Sequence, residues 1–197
     1  MSMIQDGTGK GDFAAVTVNN RLKTTGVDLT LTEAASESGD TYNLSTSAIT
    51  LNTTGENALF YLKNNEDRNL IINGIVVNIK DYTGTAGQPT LRILRDPTAG
   101  TVVTNAVNAI SLNRNFGSTN TLDANIFQGV QGDTLNSESG EIEVYLSSVA
   151  AVTFNAFSTI VVIPKGGTIG LSYEPPAGIT SMSIIVAVEA TLNGTQL

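Results

Sequence analysis

The chain has 197 residues, 41% of them hydrophobic, and a formal net charge of −8 from 18 acidic and 10 basic side chains. It contains no cysteine, histidine or tryptophan, which removes disulfides, thiolate metal sites, the commonest transition-metal ligand and the commonest general base together. The basic residues are scattered (Lys10, Arg21, Lys23, Lys63, Arg68, Lys80, Arg92, Arg95, Arg114, Lys165), so an acidic chain offers a phosphate backbone no patch on which to displace counterions, and nucleic acid is not an expected partner.

No run approaches the roughly 18 apolar residues of a membrane-spanning helix. The N-terminus lacks a charged region followed by an apolar stretch, so no secretory signal is expected. Absence of cysteine fits synthesis in a cytoplasm.

The first 26 residues read as an extended arm. Gly7, Gly9 and Gly11 alternate between Asp6 and Asp12, and Phe13-Ala14-Ala15-Val16-Thr17-Val18 leads into Asn19-Asn20-Arg21-Leu22. The glycines invite comparison with phosphate loops, but the spacing is G-x-G-x-G, no Ser or Thr follows Lys10, and no helix is predicted. A calcium loop would need acids or amides at alternate positions and a closing glutamate, and that pattern is absent. The plainer reading is a sterically light segment whose glycines permit close backbone approach.

Beyond the arm, residues 27–197 read as one β-rich domain. Val27 to Thr32 alternates as a strand, and Glu33 to Ser47 reads as a polar loop. Ala48 to Leu51 is a short strand, and Ala58 to Leu62 is apolar on both faces, as expected between layers. Asn69 to Asp81 is the longest early strand, with Ile71, Ile75, Val77 and Ile79 on one face; Gly74 in its middle suggests a bulge.

Thr90 to Leu94 is a strand closed by Asp96-Pro97-Thr98-Ala99-Gly100. Val102, Val103, Val107 and Ile110 begin another apolar run, and Asn115 to Asn120 reads as an exposed loop. Glu141 to Leu146 alternates acid with apolar side chains. Val152 to Pro164 is a β-branched run, Lys165-Gly166-Gly167 a turn, and Thr168 to Tyr173 a strand ended by Glu174-Pro175-Pro176.

The last strand has the cleanest alternation, with Met182, Ile184, Val186, Val188, Ala190 and Leu192 on one face. A one-residue slip would turn that row to water, so its register is strongly fixed. Short strands with turn residues between them predict an all-β fold, an antiparallel β-sandwich that is jelly-roll-like and carries an extended N-terminal arm.

Chemistry is hard to place on this chain. Glu141 and Glu143 share a strand face as a glycosidase pair would, but such a pair needs a lined cleft, and alternating acids on a wet strand face are the ordinary explanation. The acidic loops Glu33–Asp40 and Asp133–Glu143 bind a divalent cation only if folding unites them. No serine has a histidine base, and no G-x-S-x-G elbow is present. The reading is a non-enzyme with no cofactor, no catalytic residue and no metal ligand.

The opening segment resembles that of virion structural proteins of tailed bacteriophages. The residues that carry the resemblance are Asp6, Gly7, Thr8, Gly9 and Gly11, then Ala15, Val16 and Val18, then Asn20, Arg21, Leu22 and Thr24. The resemblance implies an arm that docks on a viral assembly and a sandwich that projects from it. Its candidates are a head decoration (cement) protein, a head-fibre base, or a tail or baseplate accessory protein.

In this reading the partner-binding residues are Asp6, Gly7, Gly9, Gly11, Phe13, Ala15, Val18, Asn20, Arg21 and Leu22. The partner is the major capsid protein or another virion protein, reached by strand addition along an exposed sheet edge. The place is the outer surface of the head, after synthesis in the host cytoplasm. A homo-oligomer is expected, a trimer being the form the resemblance suggests. The alternative is a receptor- or glycan-binding module, for which Tyr42, Tyr82, Phe116 and Tyr173 are the loop-borne aromatic candidates.

Overall fold

The computed structural model describes the backbone of residues 3–5, 13–16, 22–23, 31–85, 87–145, 153–155 and 161–193, with side chains over 33–85, 87–143 and 161–193. The chain divides into two compact units, 1–31 and 32–197. In the first, β1 (Met3–Gln5), β2 (Phe13–Val16) and β3 (Leu22–Lys23) form a three-stranded antiparallel sheet in that order.

The second unit starts with a helix, α1 (Leu31–Ser38), where the sequence predicts the end of a strand and the start of a loop. Glu33, Ala34 and Ala35 are good helix formers. Gly39, at φ +78°, stops the helix. Its amide donates to Ser36 O (3.2 Å) and the Asp40 amide to Ala35 O (2.7 Å), the paired bonds of a Schellman cap. The expected loop ends early as well, because Thr41–Ser45 is strand β4 with Tyr42 and Leu44 buried.

There follow β5 (Ile49–Leu51), β6 (Asn57–Asn64), β7 (Leu70–Gly84), β8 (Thr90–Arg95), the short helix α2 (Thr101–Asn105), β9 (Ile110–Asn113), β10 (Ala124–Gln128), β11 (Gly140–Tyr145), β12 (Thr153–Asn155), β13 (Val161–Ile163), β14 (Thr168–Glu174) and β15 (Ile179–Leu192). Between β13 and β14, the Gly167 amide donates to Pro164 O with Gly166 at φ +76°. A type II turn requires this positive φ at its third residue.

Strand pairing follows one long hairpin rolled up. The first strand, β4 with its continuation β5, pairs with the last, β15. Next inward, β6 pairs with β14, β7 with β12 and β13, and β8 with β11. Cross-pairing of β15 with β7 and of β14 with β8 collects these into two antiparallel sheets. One runs β10-β6-β14-β8-β11. The other runs β12-β7-β15-β4-β9, with β13 on β7 and β5 on β15. This is a jelly-roll sandwich, as the alternation and turn spacing predict.

The main core lies between the sheets. The predicted apolar row of β15 is fully inside, from Met182 through Leu192. On β7 the inward residues are Leu70, Ile72, Ile75, Val77 and Ile79, not the row that includes Ile71. The register shifts there: Glu189 lies opposite Gly74 and Ala190 opposite Ile72. Asn73 is the extra residue of a bulge beside the predicted glycine, and the bulge exchanges the faces of the residues before it.

A second irregularity explains why Ala58 to Leu62 is apolar on both faces. Leu171 lies opposite Phe60 and Ser172 opposite Ala58, so Leu59 has no partner on β14 and turns into the main core. Ala58 and Tyr61 face the other way and join Leu94, Val102 and Leu135 in a smaller cluster roofed by α2. Tyr61 stacks on Phe127 with centroids 5.8 Å apart.

Candidate functional site

Three of the ten predicted contact residues lie in described backbone. Phe13 sits opposite Gln5 on the β1–β2 ladder. Ala15, in the central strand, is opposite Met3 on one side and Lys23 on the other. Leu22 sits opposite Val16. Asp6, Gly7, Gly9, Gly11, Val18, Asn20 and Arg21 lie outside the described residues.

The aromatic residues separate sharply. Tyr42 and Tyr173 are in strands and buried in the main core, so neither is loop-borne. Their tyrosine side chains supply volume to the sandwich interior, and burial raises both phenol pKa values. Tyr82 packs partly against the same core from the end of β7 and donates its hydroxyl to Thr85 O. Phe116 alone of the four is open, 96% exposed in the 115–120 loop.

Several acids of the body are taken up by structure. Arg92, on the outer face of β8, donates from Nε to Glu143 (2.9 Å), from Nη2 to Glu174 (3.0 Å) and from Nη1 to Glu56 (3.1 Å). Burial opposes its charge, but these bonds and the neighbouring carboxylates outweigh burial, and its pKa is raised. Of the Glu141 and Glu143 pair, the second therefore has its carboxylate on a guanidinium. That geometry fastens three strands and the 56 loop together.

The two acidic loops hold separate partners. Asp40 receives a bidentate pair of bonds from Arg68 (2.7 and 2.9 Å), which locks the end of α1 to the β6–β7 turn. Asp133 is buried and accepts from Thr101 Oγ1 (2.8 Å), Asn105 Nδ2 (3.0 Å) and the Val130 amide (2.8 Å). It satisfies donors of α2 and of its own loop, which composition alone did not reveal. Among the described residues, no group of three or more acidic side chains is arranged to hold a metal ion.

The fold and its surface therefore define an all-β jelly-roll body accompanied by a small N-terminal strand unit. Compared with known protein families and with curated proteins, the chain matches none.

Proposed function

We propose that this chain is a non-enzymatic structural protein of a tailed-phage particle. In this reading it is a decoration protein of the outer head surface, attached to the major capsid protein through its N-terminal segment. The observation that carries the reading is the division of labour along the chain. The main core is built from residues between Tyr42 and Leu192, while residues 1–31 form a unit of their own with Phe13, Ala15 and Leu22 in paired strands. A segment that forms its own compact unit suits attachment, and the resemblance of the first 24 residues to phage virion proteins points to the same role. The net charge of −8 suits the outside of a particle better than a lumen packed with DNA.

A glycan-binding groove is the weaker reading. Sugar sites rely on exposed aromatic platforms, and two of the four candidate rings are core residues.

The test compares the full chain with a variant lacking residues 1–24, mixed with phage shells that lack the protein and sedimented together. The full chain is expected to co-sediment and the truncated, still folded body to stay in solution. Undiminished co-sedimentation of the truncated body would overturn attachment through this segment.

A further inference from the structure

One peptide bond of the body joins a strained residue to a good leaving group. Asp96, just past the end of β8, has φ +52°, in the left-handed region that residues other than glycine rarely occupy. A proline ring steers the residue before it toward extended backbone, and Pro97 follows, so Asp96 is held where neither preference would place it. Of the five prolines, Pro97 alone follows an aspartate. Asp81 has a similar φ of +53° but precedes a tyrosine.

Both sides of this bond are fixed. The Asp96 amide donates to Thr168 O (3.1 Å) and Thr168 Oγ1 to Pro97 O (2.8 Å), so β14 grips the chain before and after it. The 136–139 segment holds the flanks: the Ser139 amide donates to Arg95 O (2.8 Å) and the Thr98 amide to Asn136 O (3.2 Å). Such over-determination is what keeps a strained φ in place. Pro97 is buried, while the Asp96 side chain is 47% exposed. Arg95 Nε (3.3 Å) and Ser139 Oγ (3.1 Å) both lie on its Oδ2, which orients the carboxyl group. The other charged side chain described beside it is Glu141 on β11.

We propose that the chain cuts itself, once, between Asp96 and Pro97. The carboxylic acid of Asp96 attacks the carbonyl carbon of its own residue through Oδ1, the oxygen that Arg95 and Ser139 do not hold, and its proton passes to the Pro97 nitrogen. The C–N bond breaks, leaving a cyclic anhydride at Asp96 and a secondary amine at Pro97. Water then opens the anhydride to two carboxyl groups, so the net change is hydrolysis of one peptide bond, with no oxidant or cofactor. The tertiary amide nitrogen of proline accepts a proton more readily than an ordinary peptide nitrogen. A nucleophile held beside its target needs no encounter, and cleavage frees Asp96 from its left-handed φ. The step is a single event on the chain itself, so it is compatible with a non-enzymatic subunit and independent of any particle. Fragments 1–96 and 97–197 stay interlocked, because β14 pairs with β6 and β8, and β15 with β4 and β7.

The experiment follows the full chain, the variants Asp96→Asn and Pro97→Ala, and the wild type unfolded in urea. Each is incubated near pH 4, where a free aspartate is about half protonated, and near pH 6, where the acid form is scarce. Denaturing mass spectrometry reads the fraction cut. Asparagine tolerates a left-handed φ, and circular dichroism verifies folding; the pH 6 arm carries the comparison if acid unfolds the chain. The folded wild type is expected to give two fragments that together exceed the intact mass by one water, with proline at the new N-terminus. It should cut about tenfold or more faster than the unfolded chain at the same pH, and more slowly at pH 6 than at pH 4. The Asn variant lacks the acid and the Ala variant the tertiary amide, so both are expected to stay intact over the same period. A wild type that stays whole, or is cut no faster folded than unfolded, overturns the proposal. So does a cut that either substitution leaves unchanged, which would assign the break to a contaminating protease.

Discussion

Replacing Tyr173 by Phe should stabilise this protein, and increasingly so in alkali. Tyr173 lies in β14 opposite Leu91 of β8 and Asn57 of β6. It is fully buried, and its hydroxyl has no hydrogen-bond partner among the described residues. Burying an unsatisfied hydroxyl costs about 1–3 kcal/mol. Removing one oxygen leaves a small void that returns part of this, so the Phe variant should gain about 1 kcal/mol at neutral pH.

Burial, and secondarily the neighbouring Tyr82, raise the phenol pKa above its ordinary 10.0. The sign follows from linkage. The unfolded chain ionises at its ordinary pKa while the folded one does not, so stability present below pH 10 is lost as pH rises toward the folded pKa. At about pH 11 this single group favours unfolding by about 1.4 kcal/mol. Tyr42 and Tyr61 are raised in the same direction, so both proteins weaken, and only their difference reports on Tyr173. Urea unfolding at neutral pH and near pH 11 measures it: the advantage of Phe should grow from about 1 to about 2.4 kcal/mol. A Phe variant less stable than wild type, or an advantage that does not change with pH, refutes the reasoning.

Four further substitutions probe the body. Arg92→Met leaves Glu56, Glu143 and Glu174 converging without their cation. With the carboxylates partly solvated, the expected loss is about 2 kcal/mol at low ionic strength, shrinking in molar salt, as denaturation at two salt concentrations will show. Asp133→Ala strips acceptors from Thr101, Asn105 and the Val130 amide inside a buried loop. It should cost about 3 kcal/mol and expose α2 first, visible as faster amide exchange over 101–105 than over β15. At Gly129 a Cβ would lie 1.9 Å from Ala58 O, and that carbonyl belongs to a sheet backbone that cannot move alone. Gly129→Ala should therefore lower stability by about 3 kcal/mol in a thermal melt, whereas Gly132→Ala, where a Cβ meets nothing, is limited to the strain of its positive φ.

Legibility in the sequence tracked how local each signal was. The β15 row was readable because strand alternation has a period of two and six apolar residues obey it, with Ile185 the exception on the other face. On β7 the glycine announces a bulge, but plain alternation carried through it puts Ile71 rather than Leu70 and Ile72 inside. A bulge's position is set by the partner strand, here Glu189 and Ala190. Helix α1 was missed because its eight residues carry no apolar stripe, and its evidence lies in the cap, where Gly39 needs a positive φ. Strand β4 was hidden by the polar Thr41, Asn43 and Ser45 that alternate with its two core residues.

The candidate site divides the same way. The sequence placed attachment in the first 24 residues through an ordered string of residue types. It gave no reason to suspect that Arg92 gathers Glu56, Glu143 and Glu174. Those acids are ordinary members of separate stretches until β11 and β14 pair with β8 on either side.

What the chain determined by itself was its class. Absent histidine and cysteine, scattered cations, period-two alternation and turn residues leave an acidic β-sandwich, because side-chain chemistry and strand period are local properties. The tertiary structure alone decided which tyrosines are core and which acids are bound to Arg92, Arg68 or the α2 donors. Each of these depends on contacts between residues far apart in the chain, and no local pattern encodes which distant strand will cover a given side chain.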